Sequence, residues 1–556
     1  MRYRAARADA FDVTNGTAIP GMLDTPVLIV GAGPVGAVLA LELAHHNVPS
    51  MLVERSVRPS RHPKMDYVNG RSMELLRRLG LAATIREQGV DSRYSTDFIW
   101  TLGFDQPPVL VWHHPSVDQM RQRFAGINDG SAPAEPYQRI QGSLLEGLIR
   151  DAARDHPLID LREGWTLSDL HQDRTGVRAT VMNARTRSRS TVNARYLIGC
   201  DGANSTVRRC VGIPLDQVGG STRHCSVYFT SRDPVLRQHG RAFLTIGAKG
   251  LNLVSRDEKD LWTASVQVPP DDLFAADPIA LIQERLGVDF EVDEVLSVAQ
   301  WEGALTVADR YSKGSVFLAG DAAHQFYPAG GHGANTGIAD AVDLGWKLAA
   351  TLAGWAGPGL LASYEQERRP VALFNRELCA GLLAATQTFG RLAAAGVGND
   401  QLAGVLEEEI YQVDDLGVHF GYRYSTSPVI CHDAGDAPPW HWRHITPTTW
   451  PGGRAPAVLL ADGSQLFDLL GTWFTLVDLS GRELGDPLVK EALRRNIPMR
   501  LLPVDDAAVR ACWERDLVLV RPDHHVAWRD NDPPANWDAV LDRITGAADL
   551  AKHVNA

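Results

Sequence analysis

Apolar and polar positions change period several times along this chain, and each change predicts a different kind of element. Val27-Leu-Ile-Val30 is a short, fully apolar run of the type buried on both faces of a parallel sheet. A helix follows from about Pro34 to His46, and Ser50-Met-Leu-Val53 forms a second apolar strand ending at Glu54. Together they predict a βαβ unit with the usual right-handed crossover. Residues 71–89 predict one helix, with Met73, Leu75, Leu76 and Leu79 on its apolar side. From about 95 to 125, and again from 222 to 300, the pattern turns strand-rich, as in Ser226-Val-Tyr-Phe-Thr230 and Leu251-Asn-Leu-Val254. A helix near 143–155 and strands up to Tyr196-Leu-Ile-Gly199 lie between them. A strand at Ser315–Ala319 then precedes a glycine-rich turn, a helix from about Thr336 to Ala353, and another from Leu360 to Thr386.

This order predicts an α/β fold in which a Rossmann-like domain is assembled from residues 25–95, 126–215 and 301–399. Residues 96–125 and 216–300 would form a β-sheet domain inserted into it. Beyond Asn399 the prolines at 438, 439, 447, 451 and 456 punctuate a linker, and a fresh strand–helix pattern starts near Val458. A third domain is therefore expected over 400–556.

Bulk properties narrow the classes. A chain of 556 residues exceeds one ordinary core, and 44% hydrophobic with 22% charged is a globular composition. A net charge of −12 leaves no basic stripe to neutralise phosphates, which argues against a nucleic-acid partner. The six cysteines are scattered without a CxxC pair, fitting reduced thiols in a cytoplasmic protein rather than disulfides or zinc. No HxxxH or HExxH string suggests a metal. Residues 1–24 read as a polar lead-in mixing Arg2, Arg4 and Arg7 with Asp9 and Asp12, so no signal peptide is expected. Val27 to Leu41 carries no charge, but Gly31, Gly33, Pro34 and Gly36 interrupt it, which suits a buried strand turning into a helix and not a membrane span.

Three turns carry the candidate chemistry. Gly31-Ala-Gly33-Pro34-Val-Gly36 lies between strand and helix, where glycines let the backbone approach a pyrophosphate at the positive helix end. Glu54, ending the next strand, is placed to accept hydrogen bonds from a ribose diol, and Arg55 follows it. These features point to an adenine dinucleotide, either FAD or NAD. The second turn is Gly320-Asp321-Ala-Ala-His324, continuing as Pro328-Ala-Gly-Gly331-His-Gly333-Ala334-Asn335-Thr-Gly337 into a helix. A carboxylate at a strand end and stacked glycines at a helix start suit ribityl and phosphate contacts, with backbone N–H groups for an anionic isoalloxazine N1–C2=O. The third is Asp201-Gly202-Ala-Asn-Ser205-Thr-Val207-Arg208.

In this order and spacing the three turns resemble the single-component, class A flavoprotein aromatic hydroxylases, over about residues 25–395. The resemblance implies FAD as cofactor and NADPH or NADH as co-substrate without a domain of its own. It places the ADP half on Gly31, Gly33, Pro34 and Gly36, the ribitol on Gly320-Asp321, and both FAD and the transient nicotinamide at Asp201-Gly202. Gly331, Gly333, Ala334, Asn335, Arg71 and Gln141 complete the implied flavin set; Arg71 reads equally as a structural residue, and Gln141 precedes Leu145-Glu146 at a spacing one residue off the family's. Pro328 matches the proline whose neighbouring carbonyl faces the reactive flavin edge. In the C-terminal block, Gly453-Arg454-Ala-Pro456, Leu466-Phe467-Asp468 and Val520-Arg521-Pro522-Asp523 resemble the thioredoxin-like tail of the phenol-hydroxylase branch, which includes hydroxylases of phenols and aromatic polyketides. Lacking CxxC, that tail is expected to serve packing or homodimerisation.

The chemistry implied is insertion of oxygen into a small phenolic or polyketide-type aromatic substrate, with reduced flavin and O2 forming a C4a-hydroperoxide. Deprotonating the phenol enriches its ring and calls for a positioned base. Asp66, in Pro63-Lys64-Met65-Asp66-Tyr67-Val68-Asn69, is the candidate, since phenol-hydroxylase relatives place an acid or histidine three residues before an Asn or Gln. Its alternative is a solvated loop carboxylate. His324 reads as a structural histidine and His113-His114 as a pair without a partner acid. Trp100, Phe104, Trp112, Tyr228, Phe229 and Trp262 are left between pocket and core. A Baeyer–Villiger or epoxidising flavin monooxygenase, and a non-catalytic binding protein on the same fold, are the competing readings.

Overall fold

The computed structural model describes residues 24–62, 64–269, 277–408 and 415–548. The lead-in, apart from Asp24, and the expectation about a signal peptide lie outside the described residues.

Five parallel strands make the centre of the first sheet, in the order Val316–Leu318, Arg189–Gly199, Thr25–Val30, Ser50–Glu54 and Ile159–Glu163. Within Thr25–Val30, Val27–Val30 is apolar throughout, as suits a strand lying mid-sheet, and Val27, Leu28 and Ile29 are fully buried. Helices Pro34–His45, Gly142–Asp155 and His332–Leu352 pack with this sheet in one core. This is the Rossmann-like layer expected, and it brings three strand ends, at Val30, Gly199 and Leu318, side by side.

Among the described residues the second sheet has eight strands, running from His324–Gln325 through Glu294–Ala308, Leu215–Thr230, Leu261–Val268, Leu251–Ser255 and Leu244–Gly247 to Phe98–Thr101 and Leu110–Trp112. Both strand-rich stretches of the sequence meet in it. The alternating pattern gives its two faces different tasks. Phe104, Phe229 and Trp262 bury against helix Pro278–Leu286, while Trp100 and Trp112 bury against Phe389. Tyr228, opposite Thr263 on its neighbour, lies on the other face from Phe229 and bonds with Gln141. Of the six aromatics left between pocket and core, five are core.

The third sheet runs Met499–Pro503, Phe474–Asp478, Leu517–Val520, Val526–Asp530, with its first pair parallel and the others antiparallel. Helices Asp486–Arg494, Ala507–Trp513 and Trp537–Ile544 complete a thioredoxin-like arrangement. It is seated on the first body by buried ions: Arg521 bonds Asp343, Glu367 and Asp523, and Lys347 bonds Asp343 and Glu367. No helix among the described residues is long and apolar enough to cross a membrane.

Local differences from expectation have local causes. The helix expected over 71–89 is two, Gly70–Arg78 and Ala82–Gln88, broken where Gly80 takes φ +76°. Val117–Phe124, inside a stretch read as strands, is a helix started by a reciprocal cap between Ser116 and Gln119. The helix expected to stop at 386 holds Pro370 within it and continues to Ala394. Helix Asn399–Glu407, beyond the expected boundary at 400, buries Leu402 and Leu406 with Trp100 and Trp112 and so packs with the second sheet.

Candidate active site

The glycines of the first turn divide by what surrounds them. A Cβ on Gly31, at φ +103°, would lie 2.4 Å from the Cys200 carbonyl oxygen, and one on Gly36 would lie 1.9 Å from the Gly31 carbonyl oxygen. Those two allow the tight turn and the close approach of helix to strand. A Cβ on Gly33 would meet no atom within 4 Å. Gly33 therefore borders open space at a helix N-terminus that begins with Pro34, where N–H groups lack intrahelical acceptors. Glu54 caps the arrangement: its carboxylate accepts from the Ala32 N–H at 2.8 Å and the Ser56 N–H at 2.9 Å. Arg55 is exposed beside it.

The second turn repeats the design. Gly320, at φ +59°, presses against Val35, and Gly337 packs onto Gly320, so helix His332–Leu352 abuts the turn. Asp321 is accessible to solvent yet ringed by protein; burial pushes its carboxyl up, with His324 and Lys64 pulling the other way. Pro328 is exposed, and Gly330 and Gly331 take φ +73° and +66° to turn the chain into the helix. Gly333 borders open space as Gly33 does, and Ala334 follows half-buried in the first helical turn. Asn335 fastens this turn to the segment behind Asp66. Its amide donates to the Tyr67 and Gly331 carbonyls at 3.1 and 2.7 Å and accepts from the Asn69 N–H at 3.0 Å.

At the third turn Asp201 spends its carboxylate locally, accepting from the Ser205 hydroxyl and the Thr206 and Val207 N–H groups at 2.5, 2.6 and 3.1 Å. It thereby starts the helix Thr206–Val211. Gly202, at φ +80°, borders open space. Open positions at Gly33, Gly202 and Gly333, with a carboxylate at Asp321, fit an extended dinucleotide with phosphates at helix ends.

Asp66 is carried by a short strand, Tyr67–Val68, paired antiparallel with Gln138–Arg139, and the Asp66 carbonyl accepts from Ile140. Arg139 in turn reaches the second sheet, donating to Glu258 and to the Ser255 carbonyl, each at 2.8 Å. That link sets Asp66 against Arg256, with which it forms an ion pair. Arg256 is 5% exposed and Asp66 19%; burial pushes the guanidinium down to about 9, and its Nε donates to Thr263 at 2.9 Å. Nearby, Gln141 donates to the Tyr228 hydroxyl, and both line a cleft of about 380 Å³ with Ser60, Arg61 and Leu296. Farther along this sheet face, Trp301 donates to Ser226 at 2.9 Å and stacks on His224, whose imidazole burial pushes down to about 4.

The other candidates settle elsewhere. Arg71 is buried between Glu74 and the C-terminal domain, donating to the Asp523 carbonyl at 2.5 Å, so its guanidinium serves the domain junction. Glu74 also pairs with Arg454, the arginine of the Gly453-Arg454-Ala-Pro456 string. His324 is fully buried and bonds Asp340 at 2.8 Å, as a structural histidine should. His113 does have a partner acid, Asp97, at 3.0 Å, contrary to the reading from sequence, where a separation of sixteen positions hid it. Arg256 escaped the sequence reading because it lies in no motif; its one signal is a charge at the end of an otherwise alternating strand.

Fold and turns together define a flavoprotein of the FAD-dependent oxidoreductase class. A family model described as FAD binding domain matches residues 24–375, and one described as aromatic-ring hydroxylase, C-terminal, matches 448–548. The chain is 34% identical to FAD-dependent monooxygenase apdD of Emericella nidulans, over 95% of this chain and 92% of that protein. It is 30% identical to a 4-methyl-5-nitrocatechol 5-monooxygenase of a Burkholderia species, over 94% and 97%. A solved structure of RebC with bound 7-carboxy-K252c superposes with TM-score 0.84 at 33% identity, covering 95% of this chain and 100% of that one. The chain belongs to the FAD-dependent aromatic-ring hydroxylases and is an FAD-dependent aromatic monooxygenase.

Proposed function

We propose that the chain hydroxylates a phenolic ring lying between the Gly331–Asn335 helix start and the Asp66–Arg256 face of the second sheet, with NADPH or NADH and O2 as co-substrates. The observation carrying this is the Asp66–Arg256 pair, a carboxylate and a buried cation brought together from positions 190 residues apart. FAD, when bound and reduced, supplies an electrophilic oxygen atom derived from O2. Gly31, Gly33, Pro34, Gly36, Glu54 and Arg55 would hold its ADP half, Asp201, Gly202, Gly320 and Asp321 its centre, and Gly331, Gly333, Ala334 and Asn335 its ring.

Asp66 then accepts the phenol proton, which raises electron density at the ring carbons beside the hydroxyl. Arg256 steadies the phenolate oxygen in a site poor in water. Gln141 and Tyr228, joined by their hydrogen bond, limit solvent entry at the cleft mouth. Pro328 bounds the reacting edge. Several relatives bear hydroxylase or monooxygenase names on aromatic substrates, including 2,4-dichlorophenol 6-monooxygenase of Delftia acidovorans, which supports hydroxylation over a Baeyer–Villiger outcome. A cytoplasmic setting belongs to the same reading, supported by six free cysteines. So does a homodimer, supported by exposed Val295, Leu296 and Val298 on one strand and tested by sedimentation.

The test is turnover under ¹⁸O2 across mono- and polycyclic phenols, with product mass and NMR. One labelled oxygen on a ring carbon per nicotinamide oxidised is expected. Peroxide release alone from every phenol, or oxygen inserted between carbons, overturns the proposal.

A further inference from the structure

The turn that opens at Gly320–Asp321 is closed by the Ala323 N–H donating to the Gly320 carbonyl at 2.8 Å. What braces it from outside is Asp340, two helical turns into His332–Leu352 and fully buried. One carboxylate oxygen accepts from the Gly320 N–H at 3.2 Å and from His324 Nε2 at 2.8 Å, so it grips both ends of the five-residue turn. The other accepts from Arg368 Nε at 2.8 Å. Arg368 is itself fixed, donating to the Thr336 carbonyl at 3.2 Å and to the Tyr424 hydroxyl at 3.3 Å. Burial alone would push the Asp340 carboxyl up, but His324 and Arg368 outweigh it and hold the group below the usual carboxylate range. An anion at the turn's interior is thus available to orient the backbone N–H and the imidazole before any ligand arrives.

We infer that Asp340, held by Arg368, is a positioning residue for FAD: it pre-forms the Gly320–Asp321 turn so that Asp321 opens into the cofactor cleft at the right place. This rests on the reading that the turn contacts FAD. Asp343, three residues along the same helix, provides the internal control. It is equally buried and equally ion-paired, with Lys347 and Arg521, but has no bond to the turn.

FAD release from the full-length holoenzyme on dilution, followed by recovery of free-flavin fluorescence, yields Kd for wild type, Asp340→Asn, Asp343→Asn and Asp321→Ala. Asp340→Asn and Asp321→Ala are expected to raise Kd by about tenfold or more. Asp340→Asn is also expected to shift the visible absorption band of the flavin that stays bound. Asp343→Asn should keep Kd within about twofold even where its melting temperature falls as far. An unchanged Kd in Asp340→Asn, or an equal rise in Asp343→Asn, overturns the positioning role while leaving the turn assigned to FAD. An unchanged Kd in Asp321→Ala removes that assignment and the proposal with it. If Asp340→Asn does not fold, Arg368→Lys, which keeps a cation but loses the planar Nε donor, should raise Kd in the same direction; no rise there overturns the proposal.

Discussion

Replacing Arg256 by Met isolates what the buried cation does for the hydroxylation step. The substitution is close in volume and removes a charge whose burial is unfavourable, and Asp66 keeps 19% of its side chain exposed and can hydrate, so the fold should lose little. The hydroxylation step loses much more. A unit charge about 4 Å from a phenolate oxygen at an effective dielectric of about 20 is worth roughly 4 kcal/mol. Solvent reaching the site reduces this to about 1.5–3 kcal/mol. The sign follows from charge: without the cation the phenolate forming at the ring loses its stabilisation, so the barrier rises. The kcat/KM for hydroxylation should therefore fall by about 10–100-fold in Arg256→Met. The assay measures hydroxylated product, since nicotinamide oxidation also counts peroxide. An unchanged or higher kcat/KM refutes Arg256 as the group that steadies the phenolate.

Asp66→Asn should lower product formation by about 10²–10³-fold while the bound-flavin absorption spectrum stays as in wild type, with reducing equivalents diverted to peroxide; product chromatography and a peroxide assay check this. The first turn's glycines should separate cleanly. Gly33→Ala, at φ −64° with open space beyond, should keep the melting temperature but raise the FAD Kd about tenfold or more, whereas Gly36→Ala, whose Cβ would collide with the Gly31 carbonyl, should cost about 2–4 kcal/mol of stability. Glu42 is fully buried; burial would raise its pKa, yet Arg78 and His46 hold it at about 2 instead of 4.5. A depressed carboxylate adds stability above its unfolded pKa and loses it as pH falls through the folded one. Unfolding free energies from urea titrations should therefore drop between about pH 4.5 and 2, by up to about 3 kcal/mol, and Glu42→Gln should flatten that stretch.

The parallel core and the three turns at strand ends were legible in the chain itself, and their resemblance to a known family implied FAD. Each is local: a glycine spacing, an apolar run and a carboxylate a fixed distance on carry their meaning within a few dozen residues. The same locality let Ser116 and Gln119 set a helix that a strand-rich pattern concealed, and let Gly80 break a periodic one.

What tertiary structure decided was which groups meet across long separations. Strand pairing at Tyr67–Val68 and the Arg139 link brought Arg256 to Asp66, and a domain junction claimed Arg71. Sheet pleating turned Tyr228 toward Gln141 and its neighbour Phe229 toward the core. A residue's chemical type is written in one position, but its electrostatic partner is chosen by burial and register. Those depend on the whole packed chain.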